Sequence, residues 1–274
     1  GDSRLVAYVG NWQTCPTDEQ VAAYSHLIIA SAISYVQAPN KVICSQECGV
    51  DGTVLVCENT NRQDLIDRWQ SMGKKVMMHF GGEEMGSSCN YYSATQEMGA
   101  TLETVLVTIV ENQRLDGINI DYEYCYNITD TQCSGCKQRS SLYLDENAQI
   151  FLNLSTLNLR KKLDAVQICL IMSQWIRKKF YCYAHFWLVA LDLLPDSVYY
   201  QILKARNEDL YFLMPQFYNG LTCPDKHGVD GGAMSAAGMF ADMANGIFQE
   251  QPDKVVFGFC LSGCSEHDSN TNSD

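Results

Sequence analysis

Near the middle of the chain, Asn119, Asp121 and Glu123 recur at every second position within Asp116-Gly-Ile-Asn-Ile-Asp-Tyr-Glu123. In an extended strand, alternate side chains share a face, so these three polar groups stand about 6–7 Å apart at a rise of about 3.3 Å per residue. Ile118, Ile120 and Tyr122 take the opposite face. An acid next to a second acid has its pKa raised and can donate a proton near neutral pH, which is the chemistry of acid-catalysed bond cleavage. Carboxylates on a buried strand are costly unless hydrogen-bonded or useful. Two other readings of the octapeptide exist. A calcium loop of the EF-hand type needs its Gly at the sixth position and a Glu at the twelfth; here the Gly is second and the spacers are Ile, Ile and Tyr. A strand edge carrying solvated acids is the plainer alternative.

A strand with one polar and one apolar face, ending in acids, has to be held by its neighbours. Leu5 to Trp12 reads as a first strand running into a loop, and Thr17 to Tyr24 as a short helix capped by Thr17. His26 to Tyr35 is a nearly continuous apolar run, as expected of a strand covered on both sides; His26 reads as structural. Residues 37–60 form a loop rich in Asn, Gly and Cys. With Cys44, Cys48 and Cys57 and no nearby His, the loop reads as an insertion held by a disulfide rather than as a metal site. Asn61 to Met72 has helical spacing through Leu65, Ile66, Trp69 and Met72, and Gly73 stops it. Lys75 to Gly82 is the third strand, and Thr95 to Arg114 the helix that feeds the acid-bearing strand. This β-α-β-α-β rhythm predicts parallel strands with right-handed crossovers.

Beyond the acids, Glu146 to Leu163 reads as a helix and Val166 to Met172 as a fifth strand. The basic and aromatic run from Trp175 to Leu191 fits no element. Asp196 to Asn207 is a helix, Leu210 to Asn219 a sixth strand, Met234 to Phe248 a helix and Lys254 to Leu261 a seventh strand. Pro215 lacks a ladder donor, so a distortion is expected there. No eighth strand follows. The expected fold is α/β, a (β/α)8 TIM barrel over residues 1–274 as a single domain, with strand eight missing and segment 166–191 atypical; a truncated C-terminus and an incomplete barrel both fit.

The octapeptide resembles the Asp-Gly-x-Asp-x-Asp-x-Glu motif of family 18 glycoside hydrolases, the chitinases and their relatives, at every position except Asn119. Lys75 to Gly82 is similar to the family's Ser-x-Gly-Gly segment, with His79 in place of Ser. The ending Gln216-Phe-Tyr-Asn219 resembles plant and fungal class III chitinases. The resemblance implies hydrolysis of β-1,4-linked N-acetylglucosamine polymers, in which the substrate's own acetamido group is the nucleophile. It makes Glu123 the acid/base that protonates the glycosidic oxygen. Asp121 would polarise the acetamido nitrogen, and Tyr218 would hydrogen-bond the acetamido oxygen. Asn119, Tyr8, Gly81, Gly82, Met214, Gln216 and Asn219 would support the site or position the sugar. Trp12 would be a stacking platform, or simply cover the barrel mouth. His79 is expected to line the lumen as a hydrogen-bonding group. Family barrels close with an eighth strand whose Trp floors the site, and this chain shows none. An endo-β-N-acetylglucosaminidase shares the motif. A catalytically weak or inactive glycan-binding protein is the alternative, favoured by Asn119, His79 and the missing strand and opposed by Glu123.

Of the 274 residues, 46% are apolar, enough for one large core, and the formal net charge is −13. That charge argues against nucleic acid or an anionic membrane as partner and is compatible with a neutral polymer such as chitin. Thirteen cysteines and the sequons at Asn127 and Asn153 favour a secreted, oxidised glycoprotein. A chain opening on Gly1 without a signal peptide reads as a mature sequence. No metal or other cofactor is expected, and a monomer is.

Overall fold

Parity along five short strands decides how this chain folds: odd and even positions go to different cores. The structure, a computed structural model, describes residues 4–10, 14–30, 55–57, 60–81, 96–121, 145–163, 167–171, 198–215 and 236–256. The order is β1 (Val6–Gly10), α1 (Asp18–Val21), β2 (His26–Ala30), β3 (Val56–Cys57), β4 (Thr60–Asn61), α2 (Gln63–Ser71) and β5 (Lys75–Gly81). Then come α3 (Gln96–Gln113), β6 (Gly117–Asp121), α4 (Asp145–Lys162), β7 (Gln167–Ile171), α5 (Val198–Ala205), β8 (Phe212–Leu213) and α6 (Ala236–Asp242). Six strands form one parallel sheet in the order β1-β2-β5-β6-β7-β8. Strands are parallel and separated by helices, as the alternating pattern predicts.

The outer faces of the sheet pack under the helices. Val9, Leu27, Ile29, Val76, Met78, Phe80, Ile118, Ile120 and Leu213 all join one buried cluster with helix residues such as Trp69, Leu106, Leu159 and Leu203. The inner faces make a second, smaller cluster of Ile28, Met77, Phe212 and Met214, against which Val6, Tyr211 and Val256 pack. A residue of the first strand and a residue next to the last described one therefore share one inner core. Arg4 strengthens that closure. Its guanidinium stacks 4.7 Å from the Tyr211 ring centroid, and it is hydrogen-bonded to the carbonyl of Asp253. The two ends of the described sheet are thus drawn together, as in a sheet curling into a barrel.

Local signals explain most boundaries. Thr17 caps α1 in a reciprocal capping box with Gln20. Gly73, at φ 82°, ends the turn after α2 in the left-handed region that glycine adopts without penalty. Met72, expected on the apolar face of that helix, is instead 45% exposed at its C-terminal end. The helix expected over 234–248 begins at Ala236 and passes into a π turn, Met243–Ile247. A side chain at Gly246 in that turn would collide with the Tyr200 hydroxyl. The sixth strand ends at Leu213, two residues before Pro215, as a residue without a ladder donor requires. Within segment 166–191, expected to be atypical, the fifth strand expected over 166–172 is present as Gln167–Ile171 and pairs in register with β6. Residues 172–197 lie outside the described set. Val255 forms a parallel bridge to Leu213 where the seventh strand was expected; the expected absence of an eighth concerns residues past 256, also outside that set.

Cys57 is disulfide-bonded to Cys15, in the loop after β1, rather than within the 37–60 segment. The link ties the small β3–β4 hairpin to the segment just ahead of α1. No spacing rule in the sequence singles out Cys15 for this role.

His26 opens β2 on the inner face and is 5% exposed. Its Nδ1 lies 2.8 Å from the Ser25 hydroxyl, while Nε2 has no hydrogen-bond partner. Burial first, then the positive charges of Arg4 and Lys75, lower its pKa from 6.5 to about 4, with Asp116 opposing. An unfolded chain takes up this proton near 6.5 and the folded one only near 4. Below 6.5 the unfolded state therefore binds more protons, and stability should fall with pH by about 2–3 kcal/mol across that window. Urea unfolding between pH 7 and pH 4 should show this slope, and His26→Phe should flatten it. An equal slope in the variant would assign it to other groups.

Candidate active site

Three strands, β1, β5 and β6, bring chemistry-bearing side chains to the inner face. Asn119 sits in the middle of β6, completely buried. His79, 8% exposed, is its register partner on β5. Tyr8, from β1, donates its hydroxyl hydrogen to Asn119 Oδ1 at 3.0 Å. In the sheet order, β1 and β6 are separated by β2 and β5. Three steps across a flat sheet would put them about 14 Å apart, beyond the reach of a phenol standing normal to the sheet. The bond forms because the sheet curves and Tyr8 reaches across the lumen. The Tyr8 and His79 rings meet edge to face, with centroids 5.8 Å apart and planes at 79°.

The inner face also carries the apolar cluster of Ile28, Met77, Phe212 and Met214. Met214, expected toward the lumen, is part of it. The Asn119 amide is completely buried, so its polar atoms call for hydrogen-bond partners. Toward the mouth, β6 ends at Asp121, two residues beyond Asn119 and in register with Gly81 on one side and Ile171 on the other. Both predicted residues thus lie at the C-terminal ends of parallel strands, where barrel enzymes carry their active sites. Glu123, Tyr218, Gln216, Asn219, Trp12 and Gly82 lie outside the described residues. Among the described residues, no group of three or more His, Cys, Asp or Glu side chains is arranged to hold a metal ion.

The opposite end of β6 is secured by an acid to which the sequence assigned no role. Asp116 accepts from the backbone N–H of Val76 at 3.0 Å and from Gln70 Nε2 at 2.9 Å. It also pairs with Lys75 Nζ at 3.0 Å. One carboxylate therefore fixes α2, β5 and β6 to one another at the foot of the strand. Its place at the N-terminal end marks it as structural. The first Asp of the motif holds the strand's register, and the register sets which side chains β6 presents to the lumen.

No helix among the described residues is long and apolar enough to cross a membrane. The Cys15–Cys57 bond is consistent with an oxidising compartment. The sequence model described as glycosyl hydrolases family 18 matches residues 4–181. Among solved structures, a GH18 chitinase from Pseudoalteromonas aurantia is similar at 20% identity and a TM-score of 0.61, over 96% of this chain and 83% of that one. The ChiA C-terminal domain of Legionella pneumophila is similar at 15% identity and a TM-score of 0.59, over 96% and 79%. A mutant of catalytic domain 2 of the Ostrinia furnacalis Group II chitinase, in complex with penta-N-acetylchitooctaose, is similar at 13% identity and a TM-score of 0.59, over 94% and 64%. These likenesses show a TIM-barrel-like fold. A comparison with curated proteins finds no match.

Proposed function

Because the chain belongs to glycosyl hydrolases family 18, we propose that it hydrolyses β-1,4-linked N-acetylglucosamine polymers by a substrate-assisted, retaining mechanism. Glu123 protonates the glycosidic oxygen as the bond to the anomeric carbon breaks. The acetamido carbonyl oxygen of the same sugar attacks that carbon from the other side. Asp121 holds the acetamido N–H and balances the charge that develops on the ring formed. Tyr218 donates to the acetamido oxygen, and Gln216 and Asn219 position the sugar. Glu123, now ionised, then takes a proton from the water that opens the intermediate.

The observation that carries this reading is the bond from Tyr8 to Asn119 across the lumen. It fixes the motif strand with its polar face inward, so a residue two steps further on stands at the mouth of the barrel. The family assignment is supported by the motif strand itself and by the position of Gly81 in register with Asp121. Six of the described strands belong to one sheet, so the reading places binding and catalysis in a single domain and calls for no partner chain. Secretion fits the disulfide.

Asn119 favours a second reading, a glycan-binding protein with little turnover. A buried amide can hydrogen-bond Asp121 but cannot take its proton. The experiment that separates the two compares release of reducing ends from chitin oligomers with retention on a chitin column. Release supports the hydrolase. Retention without release at any pH supports the binding protein, and neither would remove chitin as the ligand.

A further inference from the structure

We propose that His79 is a positioning residue, whose ring, set edge-on against Tyr8, holds the phenol where its hydroxyl reaches Asn119 and so fixes which way the Asn119 amide faces. Its effect on rate rests on the hydrolase reading above; its effect on Tyr8 rests on geometry alone.

Tyr8 is 43% exposed, so solvent lies along much of its ring. His79, by contrast, is buried and in register with Asn119. The two rings meet at 5.8 Å with planes at 79°, the edge-to-face arrangement that aromatic pairs favour. Removing the His79 ring would leave a gap beside the phenol and let it swing toward the open mouth. Asn119 would feel that change directly. Its amide has one acceptor end and one donor end. With Oδ1 engaged by Tyr8 at 3.0 Å, the donor end is turned away from Tyr8. Loss of the Tyr8 bond removes one restraint on the orientation of this completely buried amide. Imidazole at position 79 thus reaches Asn119 through Tyr8.

The test uses three variants of the full chain, Tyr8→Phe, His79→Ala and His79→Phe, with the Tyr8→Phe/His79→Ala double variant. His79→Ala should lower kcat on chitin oligosaccharides on the order of ten-fold while KM stays within about two-fold, as expected for lost orientation rather than lost binding. His79→Phe should restore most of that rate, since a ring edge returns to the same place. Tyr8→Phe keeps the ring but loses the hydroxyl, and should add nothing once His79 is Ala. The same non-additivity should appear in the urea midpoint, which is read without substrate. Additive effects on the midpoint, or a His79→Phe enzyme as slow as His79→Ala, would overturn the proposal. If the wild-type chain releases no reducing ends, the hydrolase reading falls, and the midpoint cycle alone decides whether His79 orients Tyr8.

Discussion

Glu123→Gln should abolish release of reducing ends while leaving retention on chitin intact. The amide is isosteric with the carboxyl and keeps its hydrogen-bonding reach, but it has no proton to give to a leaving oxygen. General acid catalysis of this kind is worth about 10²–10⁴-fold in rate, so turnover should drop by at least that range and KM much less. Glu123 follows Asp121, the last described residue of β6, by two positions in the sequence. Neither the outer core under the helices nor the Asp116 anchor at the foot of the strand should sense the substitution. An unchanged urea midpoint would verify that. Residual activity above about a tenth of wild type would assign proton donation to another group and would sink the mechanism.

Much of this was legible in the sequence because the strands obey strict parity. Tyr8, His79 and Asn119 each stand on the polar face of an otherwise apolar strand, and each is found on the inner face. The outer positions Val76, Met78, Phe80, Ile118 and Ile120 all join the helix-facing core. Alternation is a local property, and a parallel sheet built from βα units has few ways to use it. Contacts between distant segments were not legible. Cys15 gives no hint of its pairing with Cys57, because connectivity depends on where two loops meet in space. Asp116 reads as one more member of an acidic motif. Its structural role appears only when Gln70, Lys75 and the Val76 N–H are seen converging on it. His26 read as structural, but its low pKa depends first on burial and then on Arg4 and Lys75, and no local pattern brings Arg4 or the rings at 211 and 212 near it. The fifth strand expected over Val166 to Met172 was legible by its apolar run and is present as Gln167–Ile171.

Asn119→Asp should raise turnover, about ten-fold on the scale of a proton relay within general acid–base catalysis, and should alter the acidic limb of the pH–rate profile. Asn119 is completely buried and accepts from Tyr8. A carboxylate at this position accepts the same bond, so the Tyr8 contact survives the change and strengthens in the ionised form. The difference lies in what happens two residues on. An amide can only donate to or accept from Asp121. A carboxyl can share a proton with it, and two carboxyls in contact titrate as a coupled pair, one early and one late. That gives Asp121 a place to send or collect a proton as the acetamido group gains and loses charge. It also introduces a second ionisation, visible as a steeper or displaced fall in rate at low pH. Desolvation in so buried a place pushes the new carboxyl toward its neutral form, so the variant should fold at neutral pH with little loss of stability. If kcat and the pH–rate profile both match the wild type while Glu123→Gln is inactive, then proton sharing at this position is irrelevant to the chemistry. Asp121 would in that case work as a fixed carboxylate, held in place by an amide that Tyr8 keeps turned one way.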